Sequence, residues 1–101
     1  MTLVEAVSSS TAAPNLYVLN ANSLVKRNSV AHLARDLLHY RTDVAVISET
    51  HLNERHTQQN FAIRGYDLLR RDRTGRPGGG VAIYTNQQVP LDVIVVVIVV
   101  V

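Results

Sequence analysis

The sequence predicts an α/β domain that opens with a βαβ unit and continues into a β-hairpin, on three observations. Val44-Ala-Val-Ile47 is a short, continuous, largely β-branched run between Asp43 and Ser48, the pattern of a strand covered on both faces. Val30, Leu33, Ala34, Leu37 and Leu38 repeat at helical spacing just before it, and Leu16 to Leu19 is a second apolar run before the helix. Downstream, the glycine-rich break from Thr74 to Gly80 separates a mixed run over 65–73 from Val81-Ala-Ile-Tyr84.

The 101 residues suffice for one small domain with an apolar fraction of 47%. Residues 1–15 lack a basic segment and a long apolar core, include Glu5 and Ser8 to Thr11, and read as a disordered arm rather than a secretory signal. Residues 16–88 form the domain. Residues 89–101 are a low-complexity tail whose last nine positions are only Val and Ile, far short of the roughly 20 residues that span a bilayer as a helix. Without charge or proline, that run is a ready strand. These features argue against a membrane partner.

There is no cysteine, which excludes a disulfide partner and a cysteine zinc site, and is compatible with a reducing compartment. The formal charge is only +2, yet nine of the ten basic residues are arginine, whose planar fork matches phosphate oxygens two at a time. A phosphate-bearing partner fits that bias.

Taken in order, the first strand leaves the sheet through Asn20-Ala-Asn22-Ser23. The helix can be capped by Asn28 or Ser29, and it carries Arg35 and Asp36 on its polar side. His32 and His39 lie on it as surface residues. Strand, helix, strand implies a right-handed crossover between parallel neighbours. Parallel strands end at the same sheet edge, so Asn20 and Glu49, each at or just past the end of its strand, emerge together. Ligands of open α/β sheets gather at that edge. The alternative for Glu49 is a solvated loop carboxylate.

Glu49 with Asn20 is the sharpest pair for chemistry. Mg²⁺ keeps most of its water and takes one or two protein carboxylates plus phosphate oxygens, while an amide beside it can donate to a phosphate without adding charge. Asn22 could serve instead, and turn chemistry accounts for either asparagine without a ligand. Arg64, Arg70, Arg71, Arg73 and Arg76 cluster around the hairpin and could grip a nucleic-acid backbone, although successive strand residues face opposite ways and cannot all reach one ligand.

Gly75 to Gly80 is not a phosphate loop, because Val81 and Ala82 stand where Lys and Ser or Thr are needed and a strand follows where a helix is required. Close backbone approach explains the glycines better. His51 and His56, five apart, do not share a helical face for zinc, and His51 receives no ligand role.

Asn-Ala-Asn-Ser-Leu at 20–24, Asp-Val-Ala-Val-Ile-Ser-Glu-Thr-His-Leu at 43–52 and Arg-Arg-Asp-Arg-Thr-Gly-Arg-Pro-Gly-Gly-Gly-Val-Ala-Ile-Tyr at 70–84 resemble successive blocks of one family. It is the endonuclease domain of non-long-terminal-repeat retrotransposons, within the endonuclease/exonuclease/phosphatase superfamily, and the likeness covers residues 16 to 86. The resemblance implies the N-terminal half of a four-layer, deoxyribonuclease-like α/β sandwich. It makes Glu49 the Mg²⁺-binding glutamate and Asn20 the active-site asparagine. On their residue chemistry alone, Asn22, Arg70, Arg71, Arg73 and Arg76 are expected to meet the DNA phosphate backbone.

Such enzymes nick target DNA to prime reverse transcription, in the nucleus where the target is chromosomal. The family's Asp-x-Asn, further aspartate and Ser-Asp-His are missing: no histidine follows His56, and Asp92 is the only acidic residue after Asp72. The chain is therefore expected to be a truncated endonuclease, inactive alone. A non-catalytic nucleic-acid-binding fragment, or a fragment of another phosphoesterase of the superfamily, is the alternative.

Overall fold

A computed structural model describes residues 2–8, 15–89 and 94–100, with side chains described for 15–89. Its elements are β1 (Thr2–Ser8), β2 (Leu16–Asn20), α1 (Ser29–His39), β3 (Val44–Ser48), a 3₁₀ turn (Gln58–Phe61), β4 (Tyr66–Arg71), β5 (Val81–Asn86) and β6 (Ile94–Val100). Four strands form a mixed sheet in the order β2-β3-β5-β4, and β1 pairs with β6 as a separate two-stranded antiparallel ribbon. The expected βαβ unit and hairpin are both present. β2 and β3 are parallel, and β4 and β5 are antiparallel with Arg71 opposite Val81.

β3 occupies the centre because it can bury both faces: Val44, Ala45, Val46 and Ile47 are all 3% exposed or less. On one face, Ala45 and Ile47 join Leu33 and Leu37 of α1, Leu24, Leu52, Phe61, Ile63, Ala82 and Tyr84 in the main core. On the other, Val44, Val46 and Ile83 form a smaller apolar cluster. At about 25 cal/mol per Å² of apolar surface, burial on this scale is the main force holding the sheet and helix together. Tyr66 Oη ties the hairpin to the crossover by donating to Thr42 O at 2.6 Å.

The helix departs from its expected stripe at one position. Leu38 is 80% exposed, because it lies about 140° around the helix from Leu33 and cannot reach the same sheet. Asn28 stands at the N-cap as expected, but in a left-handed conformation (φ 66°) with no side-chain cap bond, and Ser29 begins the helix instead of capping it. The C-terminus closes with Arg41 at φ 50°, Arg41 N–H donating to Leu38 O and Thr42 N–H to Leu37 O, the paired bonds of a Schellman ending. His32 and His39 are exposed, as expected.

Thr2–Ser8 differs from the sequence reading: a strand paired residue for residue with β6 stands where a disordered arm was expected. Residues 1 and 9–14 of that arm, and 90–93 and 101 of the tail, lie outside the described residues. Among the described residues no helix is long and apolar enough to cross a membrane.

Candidate functional site at the ends of β2 and β3

Asn20 is the register partner of Ser48, the residue before Glu49, so β2 and β3 deliver Asn20 and Glu49 to one edge of the sheet. The pairing continues past the strands. Ala21 N–H donates to Ser48 O (2.9 Å), Ser23 N–H to Glu49 O (2.8 Å) and Leu24 N–H to Thr50 O (2.9 Å). On the opposite side Thr50 N–H donates to Gly80 O (3.3 Å) and His51 N–H to Gly79 O (2.8 Å). Residues 49–51 are therefore held between the turn after β2 and the glycine loop before β5.

That double attachment maintains an unusual backbone. Glu49 (φ 53°) and His51 (φ 59°) are both left-handed, at a cost of about 1–3 kcal/mol each that persists only where the surroundings over-determine the conformation. The glycines make the close approach possible. A Cβ on Gly79 would overlap the Arg73 guanidinium, and one on Gly80 would lie 2.5 Å from Thr50 Oγ1. This is the close-approach role expected for the glycine run.

Glu49 keeps 41% of its side chain exposed, and its Oε2 lies 3.2 Å from His51 Nε2. A carboxylate only accepts, so the imidazole donates from Nε2. The contact gives His51 a hydrogen-bonding partner that the sequence does not signal, because residues 49–51 are not an extended run: Glu49 and His51 are both left-handed. Asn20 Oδ1 accepts the backbone N–H of Asn22 at 3.0 Å, an asparagine turn, and this fixes Nδ2 as the free donor end of the amide. Asn22 is exposed and left-handed (φ 46°).

The arginines separate into two groups. Cross-strand register places Asn20, Ser48, Val81 and Arg71 in one row across the sheet and therefore on one face, about 14 Å from end to end. Arg71, Arg73 and Arg76 are exposed at this same edge, where the β4–β5 connection turns. Arg70 points to the other face and is not free for a ligand. Its Nε and Nη2 donate to Asp72 at 3.2 and 2.8 Å, Nη2 also donates to Asn53 O at 2.9 Å, and the pair is 13% and 19% exposed. Its Nη1 is buried without a partner among the described residues. Strand alternation makes Arg70 a structural residue and removes it from the expected nucleic-acid group.

Among the described residues, no three His, Cys, Asp or Glu side chains converge on a point. Glu49 fits one ligand position of a magnesium ion, through the oxygen that His51 leaves free, and water and phosphate oxygens are the ligands such an ion takes besides.

No protein-family model matches the chain, and no curated protein does. Among solved structures, an AP endonuclease from Archaeoglobus fulgidus is similar, with a TM-score of 0.57 at 22% identity, over 72% of this chain and 27% of that one. The chain spans about a quarter of the length of that enzyme. With its mixed four-stranded sheet and its crossover helix, the chain has the fold of part of that α/β endonuclease.

Proposed function

We propose that this chain is the N-terminal part of a metal-dependent endonuclease domain of the non-long-terminal-repeat retrotransposon type, which nicks DNA by phosphodiester hydrolysis to give reverse transcription its primer. The observation that carries the reading is that Glu49, Asn20, Arg71 and Arg73 lie along one sheet edge, with Glu49 in a strained, doubly anchored turn. Motif order supports the retroelement branch, and the likeness to an AP endonuclease supports the fold.

In this reading Glu49 would hold the magnesium ion, which when bound polarises the phosphate and a water. Asn20 donates from Nδ2 to a non-bridging phosphate oxygen. Arg71, Arg73 and Arg76 hold the DNA backbone in register, and attraction of this kind falls steeply with salt. His51 is engaged with Glu49, and no second carboxylate or further histidine joins the pair among the described residues, so no unengaged base stands there to take a proton from the attacking water.

The full chain is therefore expected to bind DNA in a salt-dependent way and to leave supercoiled plasmid intact with Mg²⁺. Nicked circles that vanish with EDTA and in Glu49→Ala would overturn the inactive-fragment reading. A chain with no salt-sensitive affinity for DNA would overturn the phosphate-gripping role of the arginines.

A further inference from the structure

We infer that His51 is a positioning residue for Glu49: it holds one carboxylate oxygen so that the other is presented outward to a divalent cation. The inference rests on the reading of Glu49 as the metal-binding carboxylate. Three features of the turn carry it.

The first is the contact itself, Nε2 to Oε2 at 3.2 Å, which engages one oxygen and leaves Oε1 without a protein donor among the described residues. The second is that neither residue reaches it by ordinary strand geometry. Both backbones are left-handed, with Thr50 between them fully buried, so the turn has folded at a conformational cost into the shape that brings the two side chains together. The third is the support behind His51. Its N–H is tied to Gly79 O, and a Cβ on Gly78 would sit 3.9 Å from its Nε2 and 3.8 Å from Arg73 Nη1. The glycine loop thus passes close to the imidazole, with the Arg73 guanidinium beside the same stretch.

A carboxylate on a side chain with three rotatable bonds loses rotamer freedom when it binds a metal, and a neighbour that fixes it beforehand removes part of that cost. Histidine suits the task, because a neutral ring donates one hydrogen bond without bringing a fixed positive charge against the cation.

Two readouts on the full chain test this. Long-range ¹H–¹⁵N correlation should find the His51 ring as the Nε2–H tautomer, and Glu49→Ala should shift it toward a mixture. Identical ring shifts in the two proteins would show that no contact exists and would end the proposal. Mn²⁺ binding, followed by loss of the free-ion EPR signal, should weaken by about tenfold in His51→Leu and recover largely in His51→Gln, whose amide can donate from a similar place. A merely structural histidine would not show that recovery. Equal Mn²⁺ affinity in wild type and His51→Leu would overturn the proposal. Mn²⁺ binding that is undetectable in wild type, or unchanged in Glu49→Ala, would refute the metal reading of Glu49, and the ring shifts alone would then decide whether His51 holds the carboxylate.

Discussion

Gly80 and Thr50 are packed so closely that a Cβ on the glycine would lie 2.5 Å from Thr50 Oγ1, in a side chain that is fully buried. The hydroxyl also accepts the N–H of Leu52 at 3.4 Å, so it has little freedom to withdraw. Gly80→Ala adds that overlap to a backbone at φ +89°, and a loss of about 2–4 kcal/mol is expected in urea unfolding. Gly75→Ala is the companion measurement. With φ +85° and nothing within 4 Å of its Cβ, it should lose only about 1 kcal/mol, the cost of the left-handed conformation. Equal losses at the two sites would show that close approach is not what the glycine run is for.

The arginines should respond according to face. Asp72→Ala leaves the Arg70 guanidinium largely buried and without its carboxylate, and about 3 kcal/mol of stability should be lost. Arg71→Ala and Arg76→Ala, both at exposed positions, should change stability by less than about 0.5 kcal/mol. Each should instead reduce the slope of log affinity against log salt by about 0.9 in DNA titrations. Unchanged slopes would remove Arg71 and Arg76 from the DNA-binding surface.

Alkaline pH should weaken the fold through its tyrosines. Burial pushes the Tyr84 hydroxyl up to about 12, partly offset by the Arg70 charge. Burial, then the bond to Asp36, does the same to Tyr17. Below the ordinary value of 10 both states keep these protons, and the stability is fully present; as pH rises from 10 toward 12, the unfolded chain releases protons that the folded chain retains, and stability falls. Tyr84→Phe should lessen that decline. It should also cost about 1–2 kcal/mol at neutral pH, because the buried carbonyl of Phe61 loses the donor now 2.7 Å away. Urea midpoints at about pH 8 and about pH 11 for the two proteins measure both effects.

Legibility in the sequence followed the strength of the local pattern. Val44 to Ile47 announced a central strand because burial on both faces leaves no polar position, and the parallel partnership with Leu16–Asn20 followed from the helix between them. The hairpin was legible from its glycines, but its placement beside β3, with β5 rather than β4 as neighbour, was not, since strand order depends on long-range packing that no local spacing encodes. Leu38 joined an apolar stripe wider than one sheet could cover. At the site, the edge shared by Asn20 and Glu49 came from topology alone. Alternation predicts that Arg70 and Arg71 face opposite ways, but not which of the two faces solvent; the bonds of Arg70 to Asp72 and to Asn53 O, the latter a long-range packing outcome, decide it. The contact between His51 and Glu49 depends on two left-handed residues that glycine-free sequence does not signal.

The proposal that the Glu49 carboxylate holds the catalytic cation makes a direct prediction for a completed domain. Residues 15–89, joined to the downstream part of a related endonuclease, should nick supercoiled plasmid with Mg²⁺. Glu49→Gln removes the negative ligand while nearly preserving its shape, and nicking should fall by at least about 10²-fold with circular dichroism unchanged. Glu54→Gln, at an exposed carboxylate five residues on, serves as the control and should change the rate by less than about threefold. A folded chimera that nicks equally well with Gln at position 49 would show that Glu49 is a solvated carboxylate at the end of a strand.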